Sequence, residues 1–208
     1  MTTIGIVTGM AFEAQLLREG RALIRCAGLR PRAAQEAADT LVKGGATALM
    51  SFGIAGGLDP ALAPGTLIVA GDEAWATTLQ KHFPAALARA LTPTAVVLAD
   101  PIEKAALFKV TGAAAADMES LGVAEVAAAR GLPFVAVRVI ADTAHDRVPS
   151  VAINAATPDG RVRVVASIAG ALRHPSQIPD LIRLGRQTAT AKAVLRRIAE
   201  SDALYSAA

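Results

Sequence analysis

Between Ala115 and Asp146 the chain reads AADMESLGVAEVAAARGLPFVAVRVIADTAHD, a helix-forming stretch, a Gly-Leu-Pro turn and an apolar run that stops at an acid. Of all its segments this one most constrains the fold. The seven residues Val135 to Ala141, apolar but for Arg138, read as a buried strand. A helix directly before such a strand carries the chain back along a sheet face, so the strand returns to the rim where the helix began. Glu119 sits at that helix's start and Asp142 at the strand's end, so both acids arrive at one edge. Open α/β sheets bind their ligands at such an edge.

The remaining segments suit the same architecture. Ile4 to Thr8 reads as a buried strand with a turn at Gly9, and Glu13 to Arg21 as the first helix. A short strand over Ile24 to Ala27 leads into the turn GLRPR. The stretch RAAQEAADTLVKGGA then places Ala34, Ala37, Ala38, Leu41 and Val42 at helical spacing and stops at Gly44-Gly45. TALMSFGIAGGLDP is a strand running into a glycine-rich loop, and GTLIVAGDE is another strand. Helices are expected over Lys81 to Leu91, Ile102 to Val110, Val164 to Leu172 and Pro179 to Glu200. A short strand is expected over Ala113 to Ala116 and a loop over Asp146 to Gly160. With 208 residues, 53% of them hydrophobic and 3% aromatic, the core is built from Ala, Val, Leu and Ile. The expected fold is α/β: three layers, a central mixed sheet flanked by helices, in one domain spanning 1–208.

Several function classes are disfavoured. One cysteine, Cys26, allows no intrachain disulfide and suits a reducing compartment, so a cytoplasmic location is expected. The start MTTIGIVTGM reads as a strand ending at a glycine rather than as a secretory leader. A net charge of +3 is too mild to argue for nucleic acid. Three histidines and one cysteine show no metal-ligand spacing. Charge is concentrated in a basic helical segment over 161–208, where Arg161, Arg163, Arg173, Arg183, Arg186, Lys192, Arg196 and Arg197 outnumber Asp180, Glu200 and Asp202. This is either a solvated helix face or a surface for peripheral contact with anionic lipid at the inner face of a membrane.

By the same topological reasoning Glu13, just past the first strand and Gly9, joins Glu119 and Asp142. The loop Phe52 to Gly57 lies there too. GIAGG lacks the spacing of a dinucleotide fingerprint, and no well-placed ribose acid follows the second strand. Each acid alone has an ordinary reading, such as a first-turn residue favoured by the helix dipole. Their convergence points to chemistry. Arg138 lies on the same strand face as Asp142 and is expected to form an ion pair inside the sheet.

Three blocks, IGIVTGMAFEAQLL, SFGIAGGLDPALAPGTLIVA and DMESLGVAEVAAARGLPFVAVRVIADTA, resemble the signature blocks of the nucleoside phosphorylase and methylthioadenosine/adenosylhomocysteine nucleosidase superfamily. They are in the family's order and span about two-thirds of the chain. The SFGIAGG form and the basic helical tail are most similar to its hopanoid-associated branch, which removes adenine from adenosylhopane. The resemblance implies cleavage of an N-glycosidic bond between ribose and purine, without metal or organic cofactor. It makes Asp142 the acid at purine N7, Glu119 the carboxylate on the ribose hydroxyls, Met118 the sugar-packing side chain and Glu13 the acid that activates water. Gly9, Phe52, Gly53 and Ile54 would border the substrate. The chemistry suits such a set. The transition state is a ribosyl oxocarbenium ion with a purine anion leaving, so an acid at N7 and a carboxylate at the sugar both act on charge that develops.

Departures from the family pattern leave the nucleophile open. Ile54 and Ser51 stand where relatives carry a serine and an arginine that serve phosphate or water, and Ala141 replaces a serine before the acid. Phosphate as co-substrate would have to be met by backbone N–H groups of Gly9 and the Gly53–Gly57 loop, with Arg30 or Arg32 supplying charge. The expected partner is a purine nucleoside, lipid-linked on the branch assignment. The segment around Trp75 and Phe83 is a candidate lining for the lipid's entrance. A homo-oligomer is implied by the resemblance alone. The alternatives are a nucleosidase for small 5′-thio-nucleosides and a nucleoside- or lipid-binding module without turnover.

Overall fold

A computed structural model describes residues 2–29 and 32–206. Strands β1 (Ile4–Thr8), β2 (Leu23–Cys26), β3 (Ala48–Gly57), β4 (Leu67–Gly71), β5 (Leu87–Ala88), β6 (Leu91–Pro93), β7 (Ala115–Asp117) and β8 (Phe134–Asp142) form one sheet. Its main path runs β2-β1-β3-β8-β4-β5. β2, β1, β3 and β8 are mutually parallel, and β4 is antiparallel to β8, so the sheet is mixed. β7 pairs antiparallel with the end of β3, at Gly56 and Gly57, and β6 runs parallel beside β7.

Strand periodicity sorts the side chains into two cores. On one face Ile4, Ile6, Met50, Phe52, Val135, Val137 and Val139 pack against Trp75 and Leu79 of α3 (Glu73–His82) and Leu195 and Ile198 of α8 (Ile178–Glu200). On the other, Val7 and Leu49 meet Ala34, Ala38 and Leu41 of α2 (Ala33–Lys43) and Val123, Val126 and Ala127 of α5 (Ser120–Arg130). These are the expected three layers. α2 stops where its glycines stand, with Gly45 at φ +97°. Arg138, out of phase with Val135, Val137 and Val139 of the first core, faces the other side of the sheet, and the register shift at Ala55/Gly56 breaks this alternation before Asp142.

Four local expectations are corrected. The first helix, α1, is only Ala11–Ala14. Glu13 turns its carboxylate back onto the N–H groups of Gly9 and Met10 instead of starting a longer helix. The helix expected over Lys81 to Leu91 lies earlier, as α3. Asp72 caps it by accepting from the Trp75 N–H at 3.0 Å, and Pro84 cannot continue it. The Ala-rich stretch after Pro84 becomes β5 and β6. The 146–160 loop contains a further helix, α6 (Ser150–Ala155). The strand before Glu119 is not a parallel neighbour of β8, since β7 pairs antiparallel with β3. α4 (Pro101–Thr111) and α7 (Val164–Arg173) lie close to where they were expected.

Candidate active site

A cavity of about 420 Å³ opens at the ends of β1, β3, β7 and β8. Gly9, Glu13, Ile54, Met118, Glu119 and Asp142 all line it, together with Asp117 and Lys104. The rim that topology assigned to the three acids therefore collects them. A register shift between β3 and β8, where Ala55 pairs Ile140 but Gly56 pairs Asp142, accompanies the arrival of Asp142 at this edge.

One half of the site is built around Arg138, whose side chain is fully buried. Its guanidinium pairs with Asp117 through Nε and with Glu119 Oε2 at 3.1 Å through Nη2, and donates to Ser51 Oγ at 2.6 Å. The ion pairing expected for Arg138 is present, with two carboxylates at once. Burial alone would lower the Arg138 pKa, but Asp117, Glu119 and Glu13 together raise it.

Glu13 is almost completely buried. Its Oε2 accepts from Gly9 N at 3.1 Å and Met10 N at 2.8 Å, and its Oε1 from Ile54 N at 2.8 Å. Burial raises its pKa to about 7, against the pull of Arg138 and with a further push from Glu119. Glu119 is also raised, by burial first, with Arg138 opposing. A carboxyl that titrates near neutrality can both take and return a proton at working pH.

The two glycine loops serve these acids. A Cβ on Gly53 would stand 2.5 Å from Glu13 Oε1 and 2.7 Å from Arg138 Nη1, and one on Gly9 would collide with the Glu119 carboxylate. Gly53 also lies opposite Arg138 in the β3–β8 register. The Gly9 and Ile54 N–H groups, which the phosphate reading of the loops would use, are engaged by Glu13. Arg32 is exposed at the N-cap of α2 and does not line the cavity. Arg30 lies outside the described residues. Phe52 is corrected too: its side chain points into the core beside α3 and α8, not into the cavity. Gly53 touches the site only through the space it leaves.

The other half of the site is built around Asp142. Its carboxylate Oδ2 accepts from Lys104 Nζ at 2.5 Å. Burial raises the Asp142 pKa and the Lys104 ammonium holds back part of that rise. Sequence reasoning misses Lys104 and Asp117. A signal for Lys104 exists, since Leu107 and Phe108 come at +3 and +4 from it and pack inward, which puts a lysine on the apolar stripe of α4. Asp117 carries no such mark.

The rest of the lining is mostly apolar and includes Val96, Val97, Leu98, Val148, Ile153 and Leu184. Val96 and Val162 line the cavity while 65% and 50% exposed, so it opens to solvent there. Trp75 and Phe83 do not form this entrance, for Trp75 is wholly buried in the core and Phe83 packs against it. Among the described residues no cluster of three or more His, Cys, Asp or Glu is arranged to hold a metal ion, and no helix is long and apolar enough to cross a membrane.

Residues 94–174 match the sequence model of the phosphorylase superfamily. No sequence of a curated protein matches the chain. Among solved structures it is similar to the 5′-methylthioadenosine/S-adenosylhomocysteine nucleosidase of Campylobacter jejuni, with TM-score 0.64 and 18% identity, covering 71% of this chain and 89% of that one. The futalosine hydrolase of Helicobacter pylori gives TM-score 0.63 and 16% identity over 68% and 88% of the two chains. A methylthioadenosine nucleosidase variant of Helicobacter pylori with 5′-methylthioadenosine in its active site gives 0.65 and 13% over 95% and 98%. The chain thus shares the fold of these nucleosidases, and its residues 94–174 carry the match to the phosphorylase superfamily.

Proposed function

We propose that the protein hydrolyses the N-glycosidic bond of an adenine nucleoside. The observation that carries this reading is the convergence of Glu13, Glu119 and Asp142 on one cavity, with Glu13 titrating near pH 7. In this mechanism Asp142, protonated, gives its proton to purine N7 as the C1′–N9 bond breaks and its electron pair passes to the base. Glu119 accepts hydrogen bonds from the ribose hydroxyls and lies beside the positive charge growing on the sugar. Met118 packs against the ring. Glu13, ionised, removes a proton from the water that attacks C1′. Water is favoured over phosphate because Glu13 occupies the backbone N–H groups of Gly9, Met10 and Ile54 that an anion would need.

The finer substrate assignment is a nucleoside with a large apolar 5′ group, with adenosylhopane as the first candidate. The apolar lining supports it: a small polar nucleoside has no use for Val96, Val97, Leu98 and Ile153. Val162, exposed between Arg161 and Arg163, gives the entrance an apolar and basic rim suited to an anionic lipid surface. Adenine release is to be compared on adenosylhopane in detergent and on methylthioadenosine, with co-sedimentation on anionic vesicles at low salt. Faster release from the lipid and vesicle binding are expected. Equal or better turnover of the thio-nucleoside points to the small-substrate nucleosidase, and tight adenine binding without cleavage of either points to a binding module.

A further inference from the structure

Lys104 is 1% exposed and lies on the inward stripe of α4. A buried ammonium costs several kcal/mol unless its donors are satisfied. Here each of its three N–H donors has an acceptor: Asp142 Oδ2 at 2.5 Å, the Thr143 carbonyl at 2.8 Å and the Asp146 carbonyl at 2.9 Å. Two of the three acceptors are backbone, in the loop after β8. That loop is itself fastened, because the Asp146 carboxylate accepts from Thr143 N at 2.9 Å, from Gln187 Nε2 at 2.8 Å and from Arg183 Nε at 2.8 Å, the last two on α8. The position of Nζ is therefore fixed by the fold and does not depend on Asp142.

A donor that cannot turn away makes Oδ2 an acceptor permanently. A proton carried by Asp142 is then left with Oδ1, which receives no hydrogen bond from another of the described residues. We propose that Lys104 is a positioning residue that confines the acid proton of Asp142 to Oδ1, the oxygen left to the bound base. This rests on the reading of Asp142 as the acid at purine N7. As the C1′–N9 bond breaks, the proton on Oδ1 passes to N7 and Asp142 is left as a carboxylate already paired with the ammonium. Lys104 keeps its three protons throughout, and Asp142 takes a new one from solvent once the base has gone.

The same contact sets the strength of the acid. The charged groups around Asp142 are Lys104 from α4, Asp146 from the loop and, through Asp146, Arg183 from α8; β3 offers only Gly56. Removing the ammonium leaves burial and Asp146, both of which hold the proton on Asp142. Because activity needs that proton, its loss at high pH would then come later.

The test is Lys104→Met, an apolar replacement of similar length, with the pH profile of adenine release and the carboxyl titration of Asp142 followed by carbon NMR or infrared difference against Asp142→Asn. The expected result is an alkaline limb and a carboxyl titration that both move up by about 1–3 pH units. kcat should fall by about tenfold to a hundredfold with KM little changed, because the proton is no longer confined to Oδ1. Lys104→Arg, which keeps a charge, should move the limb back towards the wild-type position. If Lys104→Met does not fold, Lys104→Gln is measured in the same way and the same upward shift is expected. A fall in kcat with an unmoved limb and an unmoved titration would mean that Lys104 only fastens the loop, and would overturn the assignment alone. No cleavage of any adenine nucleoside by the wild type would overturn the hydrolase reading, and the catalytic use of the pair with it.

Discussion

The cavity has two acidic halves, each with a buried cation, and they differ in the ratio of charges. Around Arg138 three carboxylates, Asp117, Glu119 and Glu13, share one guanidinium. Lys104 forms its ion pair with one carboxylate, Asp142, while the neighbouring Asp146 is paired with Arg183. Burial first, opposed by Arg138 and helped by the neighbouring Glu119 charge, raises the least directly paired of the three, Glu13, to a pKa of about 7. On the proposed reading this excess makes a base on one side and suits the cationic sugar. Parity on the other side gives an acid whose proton has one place to sit. On that reading burial and the cations within reach, more than residue type, set the roles of the acids in the cavity.

The sharpest way to break the comparison is to neutralise each half separately. Asp142→Asn and Glu13→Gln should each lower kcat by about 10²–10⁴-fold, as expected for loss of a general acid or base. Their pH profiles should differ. Glu13 must be ionised to act, so the wild-type acid limb should lie near pH 7 and vanish in Glu13→Gln. Asp142→Asn should remove the alkaline limb instead. Steady-state profiles of the residual activities decide this, and loss of the same limb in both variants would merge the two halves into one.

A smaller effect is expected from Gly53→Ala. The added Cβ would stand 2.5 Å from Glu13 Oε1, so the carboxylate must shift. The account predicts a fall in kcat of roughly a hundredfold and a loss of about 1–3 kcal/mol in denaturant unfolding. Activity unchanged in a folded Gly53→Ala protein would contradict the placement of Glu13.

Glu13 should also be visible in stability. Its folded-state pKa of about 7 lies above the unfolded value of 4.5, so the folded protein holds the proton more tightly between them. The contribution is favourable below pH 4.5 and is lost as pH rises through about 7. Wild type should lose about 3 kcal/mol relative to Glu13→Gln between pH 4.5 and pH 8, read from urea unfolding at each pH. A constant difference would mean that Glu13 is ionised throughout. The smallest effect is expected from Ile153→Ala in the apolar lining. It should lower kcat/KM for a nucleoside with a bulky apolar 5′ group by about tenfold and leave a methylthio nucleoside almost unchanged.

Much of this arrangement is legible in the sequence because strand endings are. Val135 to Ala141, apolar but for Arg138, and Ile4 to Val7 read as buried strands, and the residues just past such a run reach the rim whatever the neighbouring pairings are. A strand ending likewise brings Glu119 to the expected edge, although β7 pairs antiparallel with β3. Helix boundaries are less legible where local and tertiary preferences disagree, as in Pro84 to Leu91, where Ala-rich composition suggests helix and the sheet edge takes the chain as strands. The glycines suggest a cradle for phosphate, yet Gly9 and Gly53 make room for Glu119 and Glu13. A missing side chain leaves no trace of what fills its place. Lys104 is hidden for a different reason, as its partners Asp142, Thr143 and Asp146 lie about forty residues away in sequence.

The central claim, hydrolysis at C1′ by water under Glu13, is tested most directly by adenine release from an adenine nucleoside with a bulky apolar 5′ group in ¹⁸O-labelled water, with and without phosphate. The account predicts equal rates in both conditions and the water oxygen at C1 of the released sugar. Release that requires phosphate and yields a ribose 1-phosphate ester would contradict it.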